Sequence, residues 1–207
     1  MKLGQIFEKY SSFSMIKEGK YIENLQLIRE FSHISGAVVE CGVWKGGMIA
    51  GVAEILGCDR AYYLFDSFEG LPEAQTIDGD AAIKWQQDTE SPIYFDNCAA
   101  PIEESKKAML LSGATKTYFI KGWFSDTLPS QSIEGGIAIL RLDGDWYEST
   151  MDVLENLFTQ VNPGGIIIID DYFIWDGCAK AVHDFLSKNS CVERIRQYKN
   201  VCYLIKK

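Results

Sequence analysis

IAILRLDGD at residues 137–145 and GGIIIIDD at 164–171 decide the fold. Each is a predominantly apolar run that stops at a pair of aspartates. Runs of this length, bounded by Gly or Asp, suit strands covered on both faces, as in a parallel sheet with helices above and below it. Working outward, VVECG (38–42), AYYLFD (61–66) and TYFI (117–120) have the same character. The spacing therefore predicts strands over 38–42, 61–66, 117–120, 137–143 and 166–170. Helical periods fill the intervals. Met48, Ile49, Val52, Ile55 and Leu56 form one face of a helix over 46–57, and Met151, Leu154, Phe158 and Val161 one face of a helix over 147–161. Pro101-Ile-Glu-Glu opens a third helix over about 101–112, with Pro and acids in the first turn. Asn162-Pro-Gly-Gly stops the 147–161 helix. A further helix lies near 178–188, and 192–197 and 200–205, joined at Lys199-Asn200, form a closing antiparallel hairpin. Strand and helix in this rhythm give a doubly wound α/β sheet of seven mainly parallel strands.

Two stretches fall outside the rhythm. Residues 1–34 have the pattern of one or two amphipathic helices and are expected to be a helical extension or lid ahead of the main domain at 35–207. Residues 67–99 are a long, acid-rich connection, a lid or substrate loop in the ordered case and a disordered loop in the other. The 207 residues leave room for one core of ordinary size. With 20 Lys and Arg against 29 Asp and Glu, the net charge of −9 disfavours a nucleic-acid partner. No apolar run approaches the roughly 18 residues of a membrane span, and the start has no secretory pattern, so no membrane partner and a cytoplasmic location are expected. The six cysteines form no C-x-x-C pair and there are two histidines, His33 and His183, which leaves a zinc site without ligands. The thiols are expected to be reduced and mostly buried.

Ligands of an open α/β sheet bind beyond the carboxyl ends of its strands. Acids stand at those ends: Glu40, Asp66, Asp143 with Asp145, and Asp170 with Asp171. Gathered at one crevice they repel one another unless a cation neutralises them. The first turn, Glu40-Cys-Gly-Val-Trp-Lys-Gly46-Gly47, lacks the G-x-G-x-x-G spacing that brings backbone against a pyrophosphate, which disfavours a nicotinamide oxidoreductase. S-adenosylmethionine, cationic and without phosphates, suits it better, with Asp66 placed to accept from the ribose hydroxyls. The rival reading is that Gly46 and Gly47 only let helix pack on strand. Asp143, Asp170 and Asp171, with no Cys or His beside them, point to a hard cation: magnesium first, manganese or calcium as alternatives. In the rival reading Asp143 or Asp145 caps the following helix and Asp170-Asp171 is a turn. His183 is a surface or packing residue or, alternatively, a substrate contact. Trp146 and Trp175 are candidates for the wall of an acceptor pocket.

VECGVWKGG (39–47), DSFEGLP (66–72), KGWFSDTLP (121–129), LRLDGDWYESTMDVLENL (140–157) and NPGGIIIIDDY (162–172) resemble the macrocin O-methyltransferase family over about residues 13–190. The resemblance implies a class I methyltransferase fold and a magnesium-dependent transfer of methyl from S-adenosylmethionine to a sugar hydroxyl of a natural product. It implies that Asp143, Asp170 and Asp171 hold the metal and that Asp145 is the general base. It implies that Glu40, Gly42, Gly46, Asp66 and Ser67 bind the cofactor, and that Gly122 and Trp123 lie beside its adenine. Residues 73–99 depart from the family pattern, which leaves the acceptor open. The expected partner is a small molecule with a hydroxyl or vicinal diol, and a homo-oligomer is possible. The rivals are a catechol-type methyltransferase and a non-catalytic module that binds the cofactor.

Overall fold

The five apolar runs lie side by side in the computed structural model, which describes residues 2–207. In chain order the elements are helices α1 (Leu3–Tyr10) and α2 (Glu18–Glu30), strand β1 (Ala37–Cys41), α3 (Gly47–Leu56), β2 (Ala61–Asp66), α4 (Asp80–Gln87), α5 (Ile102–Ser112), β3 (Lys116–Lys121), α6 (Phe124–Thr127), β4 (Ile137–Leu142), α7 (Tyr147–Leu157), β5 (Val161–Ile169), α8 (Asp176–Lys188), β6 (Arg196–Tyr198) and β7 (Val201–Ile205). The strand order is β3-β2-β1-β4-β5-β7-β6, parallel from β3 through β5, with β7 antiparallel to both β5 and β6. The seven-stranded doubly wound sheet is as expected. Because β1 pairs with β2 on one side and β4 on the other, the winding reverses there, and the loops leaving β1 and β4 part to open a crevice.

The pleat sends alternate side chains to opposite faces. Ile166 and Ile168 of β5 join the core beneath α1, α2 and α3, while Ile167 and Ile169 join the core beneath α7 and α8. The helices present matching stripes. Tyr21, Leu25 and Ile28 of α2 are buried at spacings of four and three, and Cys178, Ala181, Val182 and Phe185 do the same for α8. Ile6 and Tyr10 of α1 lie in the same core as α3, and the Tyr21 hydroxyl donates to the Gly47 carbonyl at 2.8 Å. Residues 3–30 are thus packed on one face of the sheet.

Several boundaries differ from expectation. Helix α7 ends at Leu157, and a 3-10 turn, Phe158–Gln160, follows it. Val161, which continues the helical period in sequence, instead pairs with Ile137 as the first residue of β5. Asn162-Pro-Gly-Gly is an irregular stretch of that strand: its register against β4 shifts there, and Asn162 Nδ2 donates to the carbonyls of Ser35 and Gly135 at 2.9 Å each. The hairpin forms about Lys199-Asn200, but 192–195 stay outside it. All six cysteines are free. Cys41, Cys178 and Cys202 are buried, Cys98 and Cys191 half-buried, and Cys58 exposed, so the expectation of mostly buried thiols holds for half of them. Among the described residues no helix is long and apolar enough to cross a membrane.

Candidate active site

A cavity of about 860 Å³ opens at the carboxyl ends of the strands. Of the expected cofactor residues, Gly42, Asp66, Ser67, Gly122 and Trp123 line it, and so do Asp143, Asp145, Asp170 and Asp171. Gly42 has φ +88°, and a Cβ there would overlap the Asp143 carbonyl, so only glycine lets the turn after β1 pass this close to the turn after β4. Asp66 folds the turn. Its Oδ2 accepts from the backbone N–H groups of Val43 and Trp44, both at 2.8 Å, and its Oδ1 accepts from Phe68 N–H at 2.6 Å. Three of the roughly four lone-pair positions of a carboxylate are thereby used, which leaves one for a ligand hydroxyl.

Gly46 and Glu40 are not on the wall of this cavity, although Glu40 lines a small pocket next to Gly42, Trp44 and Asp143. Gly46 is at the N-cap of α3 with φ +78°, where a Cβ would lie 3.0 Å from Ser105 of α5, a close approach of helix to helix and not of helix to strand. Glu40 is buried beneath the turn, where Arg141, its register partner on β4, donates to Oε1 at 2.5 Å. Its Oε2 has no hydrogen-bond partner.

Arg141 gathers acids from three strands. Besides Glu40 of β1, its Nη1 donates to Asp143 Oδ2 at 2.7 Å, and its Nη2 lies 2.6 Å from Asp170 Oδ1 at the end of β5. Lys20 of α2 holds the other side of Asp170, with Nζ 2.7 Å from Oδ2 and 2.9 Å from the main-chain oxygen. Asp145, with φ +58°, donates its own N–H to Asp171 Oδ2 at 3.1 Å and accepts from Trp175 Nε1 at 2.7 Å.

Five carboxylates, Glu40, Asp143, Asp145, Asp170 and Asp171, thus share two cations, Arg141 and Lys20. The imbalance appears in their acidity. Burial, reinforced by Asp143, raises Asp145 to about 7, and Trp175 opposes the rise. Burial raises Glu40 to about 7 against the pull of Arg141, and burial with Asp145 and Asp143 raises Asp171 well above the usual carboxylate range. Burial also raises Asp143 against Arg141. Asp170 goes the other way: burial would raise it, but Arg141 and Lys20 bring it below the ordinary value. Oxygens of Asp143, Asp170 and Asp171 lie within 4.8 Å of one another. An all-oxygen donor set with excess negative charge fits a hard divalent cation.

Beyond Asp145 the wall is aromatic. The rings of Trp146 and Trp175 meet edge to face at 5.2 Å, and Trp85 of α4 packs on both at 6.1 and 6.0 Å. Trp85 and Trp175 line the cavity. Trp146 is buried behind them, its Nε1 donating to the Pro72 carbonyl at 3.0 Å. Pro72 and Trp85 of the 67–99 connection are therefore packed against the site. His183 is exposed, its Nε2 2.9 Å from the Tyr172 hydroxyl, and is off the cavity wall.

The model of the macrocin O-methyltransferase (TylF) family matches residues 11–207. The chain belongs to that family. An enzyme of Streptomyces olivaceus, 8-demethyl-8-(2,3-dimethoxy-alpha-L-rhamnosyl)-tetracenomycin-C 4'-O-methyltransferase, is 40% identical over 177 residues, covering 80% of this chain and 65% of the relative. Demethyldecarbamoylnovobiocin O-methyltransferase of Streptomyces niveus is 35% identical over 182 residues, 82% of this chain and 66% of the relative. The chain spans about two thirds of the length of these relatives. The structure of the O-methyltransferase NovP superposes with a TM-score of 0.75 at 30% identity, covering 90% of this chain and 80% of that one. The fold is the Rossmann-like sheet of class I methyltransferases.

Two residues at the centre of the site, Arg141 and Lys20, went unread in the sequence. Arg141 carried a signal: an arginine inside the apolar run IAILRLD has to be paired if the strand is buried. Lys20 carried none, being one of several lysines on an amphipathic pattern.

Proposed function

We propose that the chain transfers a methyl group from S-adenosylmethionine to a hydroxyl of a small molecule, a sugar of a natural product or glycoside. The observation that carries this reading is the convergence of Asp143, Asp170 and Asp171 beside Asp145, in one cavity with the Gly42–Asp66 turn. The names of the relatives support it, each describing methylation of a sugar-bearing or natural-product acceptor. Gly42, Asp66, Ser67, Gly122 and Trp123 would hold the cofactor, whose sulfonium supplies an electrophilic methyl. Asp143, Asp170 and Asp171 would hold a divalent cation, which lowers the pKa of an acceptor hydroxyl.

The chain's own residues do the rest. Asp145 accepts the hydroxyl proton, its carboxylate oriented by the bond from Trp175 to Oδ1. Arg141 holds Asp143 and Asp170 side by side in fixed orientations. Trp85 and Trp175 exclude water from one side of the acceptor and offer apolar area to a sugar face or an aglycone. A cavity of this volume is of the size that takes drug-sized ligands. The test is incubation with methyl-labelled S-adenosylmethionine and a panel of glycosides and catechols, with magnesium or with chelator. Label is expected in a glycoside in the magnesium arm alone. Transfer only to catechols overturns the sugar assignment, and transfer to nothing overturns the activity.

A further inference from the structure

The segment between β2 and α5 does more than cover the site. Asp78, in a 3-10 turn (Thr76–Asp78) of that segment, is buried although it is a single carboxylate far from Arg141 and Lys20 in sequence and in bonding. Its Oδ1 accepts from the backbone N–H of Tyr147, the first residue of α7, at 2.7 Å, and its Oδ2 from Gln75 N–H at 2.8 Å. Trp146, at the N-cap of α7, provides no side-chain cap, so Asp78 supplies from 69 positions away the acceptor that a local Ser or Asp usually gives. The same carboxylate lies against the first turn of α8. A Cβ on Gly177 would run into Asp78 Oδ1, so a glycine is what admits the acid there.

These two helix starts follow the two acid-bearing turns. Only Trp146 separates Asp145 from the capped N–H of α7, and α8 begins immediately after Trp175, which holds Asp145. Pro72 and Trp85 of the same segment touch Trp146, and Trp85 also touches Trp175. Asp145 keeps a left-handed backbone conformation without being glycine, and such a conformation persists only where its surroundings hold it. We infer that Asp78 is a positioning residue for methyl transfer: it wedges the starts of α7 and α8 into register and thereby sets Asp145 against Asp170 and Asp171. The inference rests on the proposed activity for its kinetic consequence and on the geometry alone for its structural one.

The test compares Asp78→Ala, Asp78→Asn and Val153→Ala in the full chain, measuring kcat, KM for S-adenosylmethionine, Tm and the near-ultraviolet circular dichroism of the tryptophans. Val153 is buried in α7, and its truncation lowers Tm through a cavity while leaving the cap in place. Asp78→Ala is expected to lose roughly 10–100-fold in kcat, the scale of a misplaced catalytic group, with KM for the cofactor unchanged. Asp78→Asn should recover part of that loss, because its amide oxygen still accepts from Tyr147 while its NH2 loses the bond from Gln75 N–H. Val153→Ala should keep wild-type kcat, and of these only Asp78→Ala should change the near-ultraviolet spectrum. Wild-type kcat in folded Asp78→Ala, or equal losses in Asp78→Ala and Val153→Ala, overturns the inference. If Asp78→Ala does not fold, Gly177→Ala displaces the wedge from the other side; the same loss is expected, and retained kcat overturns the role. If the wild-type chain transfers methyl to nothing, the activity reading fails separately, and the spectrum decides: a change confined to Asp78→Ala supports the wedge, and none overturns it.

Discussion

Asp143 and Asp145 are two residues apart and are held in different ways. Arg141 binds Asp143 as part of the carboxylate cluster, whereas Asp145 turns away on a left-handed backbone to meet Trp175. Asp143→Asn is therefore expected to weaken manganese binding, followed by electron paramagnetic resonance, and to raise the metal concentration needed for turnover. Asp145→Asn should leave manganese affinity nearly intact while lowering kcat by roughly 10²–10⁴, the usual contribution of a positioned base. The reverse pattern would exchange the two roles. These aspartates were legible because each ends an apolar strand, and strand ends are where such a sheet presents its chemistry. Their partners were not. Lys20 reaches Asp170 across 150 positions and Asp78 reaches Tyr147 across 69, and a contact made by tertiary packing leaves no periodicity to read.

At the scale of elements, apolar period and punctuation located the sheet well. Pro101 with Glu103 and Glu104 marks the start of α5, and Gly57 and Gly113 follow the ends of α3 and α5. The period misled where a strand begins in phase with the helix before it, which is why the helical period of α7 runs on to Val161 in sequence. The long connection at 67–99 could not be judged ordered or disordered, since its polar composition hides what Pro72, Asp78 and Trp85 do. Its structure is uneven. Residues up to Gln87 are anchored through those three and Asn97 is tied back to Leu71 and Gln86, but between them Asp88 to Asp96 form a series of exposed or half-buried turns, and Phe95, Asp96, Asn97 and Cys98 all have φ between +52° and +61°. Consecutive left-handed residues store strain, and Ile93, Phe95 and Cys98 face the cavity. We expect limited proteolysis to cut within 88–98 first and to slow there when cofactor and methylated product are bound together. Equal cutting in both states rules out a closing role for this stretch, and first cuts within 72–87 contradict the anchoring.

Across the whole molecule, the charge of the site is divided between two walls of one cavity. Asp66, with the turn after β1, is held locally by three backbone N–H groups, which oppose the upward push of burial on its carboxyl, so that wall is formed without a charged partner. The wall at the ends of β4 and β5 draws on charged partners: five carboxylates meet Arg141 and Lys20, and burial, reinforced by the neighbouring carboxylates, suppresses the acidity of Asp145, Asp143 and Asp171. Excess negative charge in a partly dry site is relieved by a divalent cation, and anything that binds only the folded state stabilises it by mass action, by about 2.7 kcal/mol at a hundredfold excess over Kd. Magnesium is accordingly expected to raise Tm in the wild-type chain, and much less in an Asp171→Asn variant, which lacks one ligand charge. S-adenosylmethionine, titrated calorimetrically in excess chelator, should bind with an affinity close to that in magnesium, because its wall does not depend on the other. Loss of cofactor binding on chelation would show that the two walls form together and that the division of labour is wrong. An equal rise of Tm in Asp171→Asn and wild type would place the cation elsewhere.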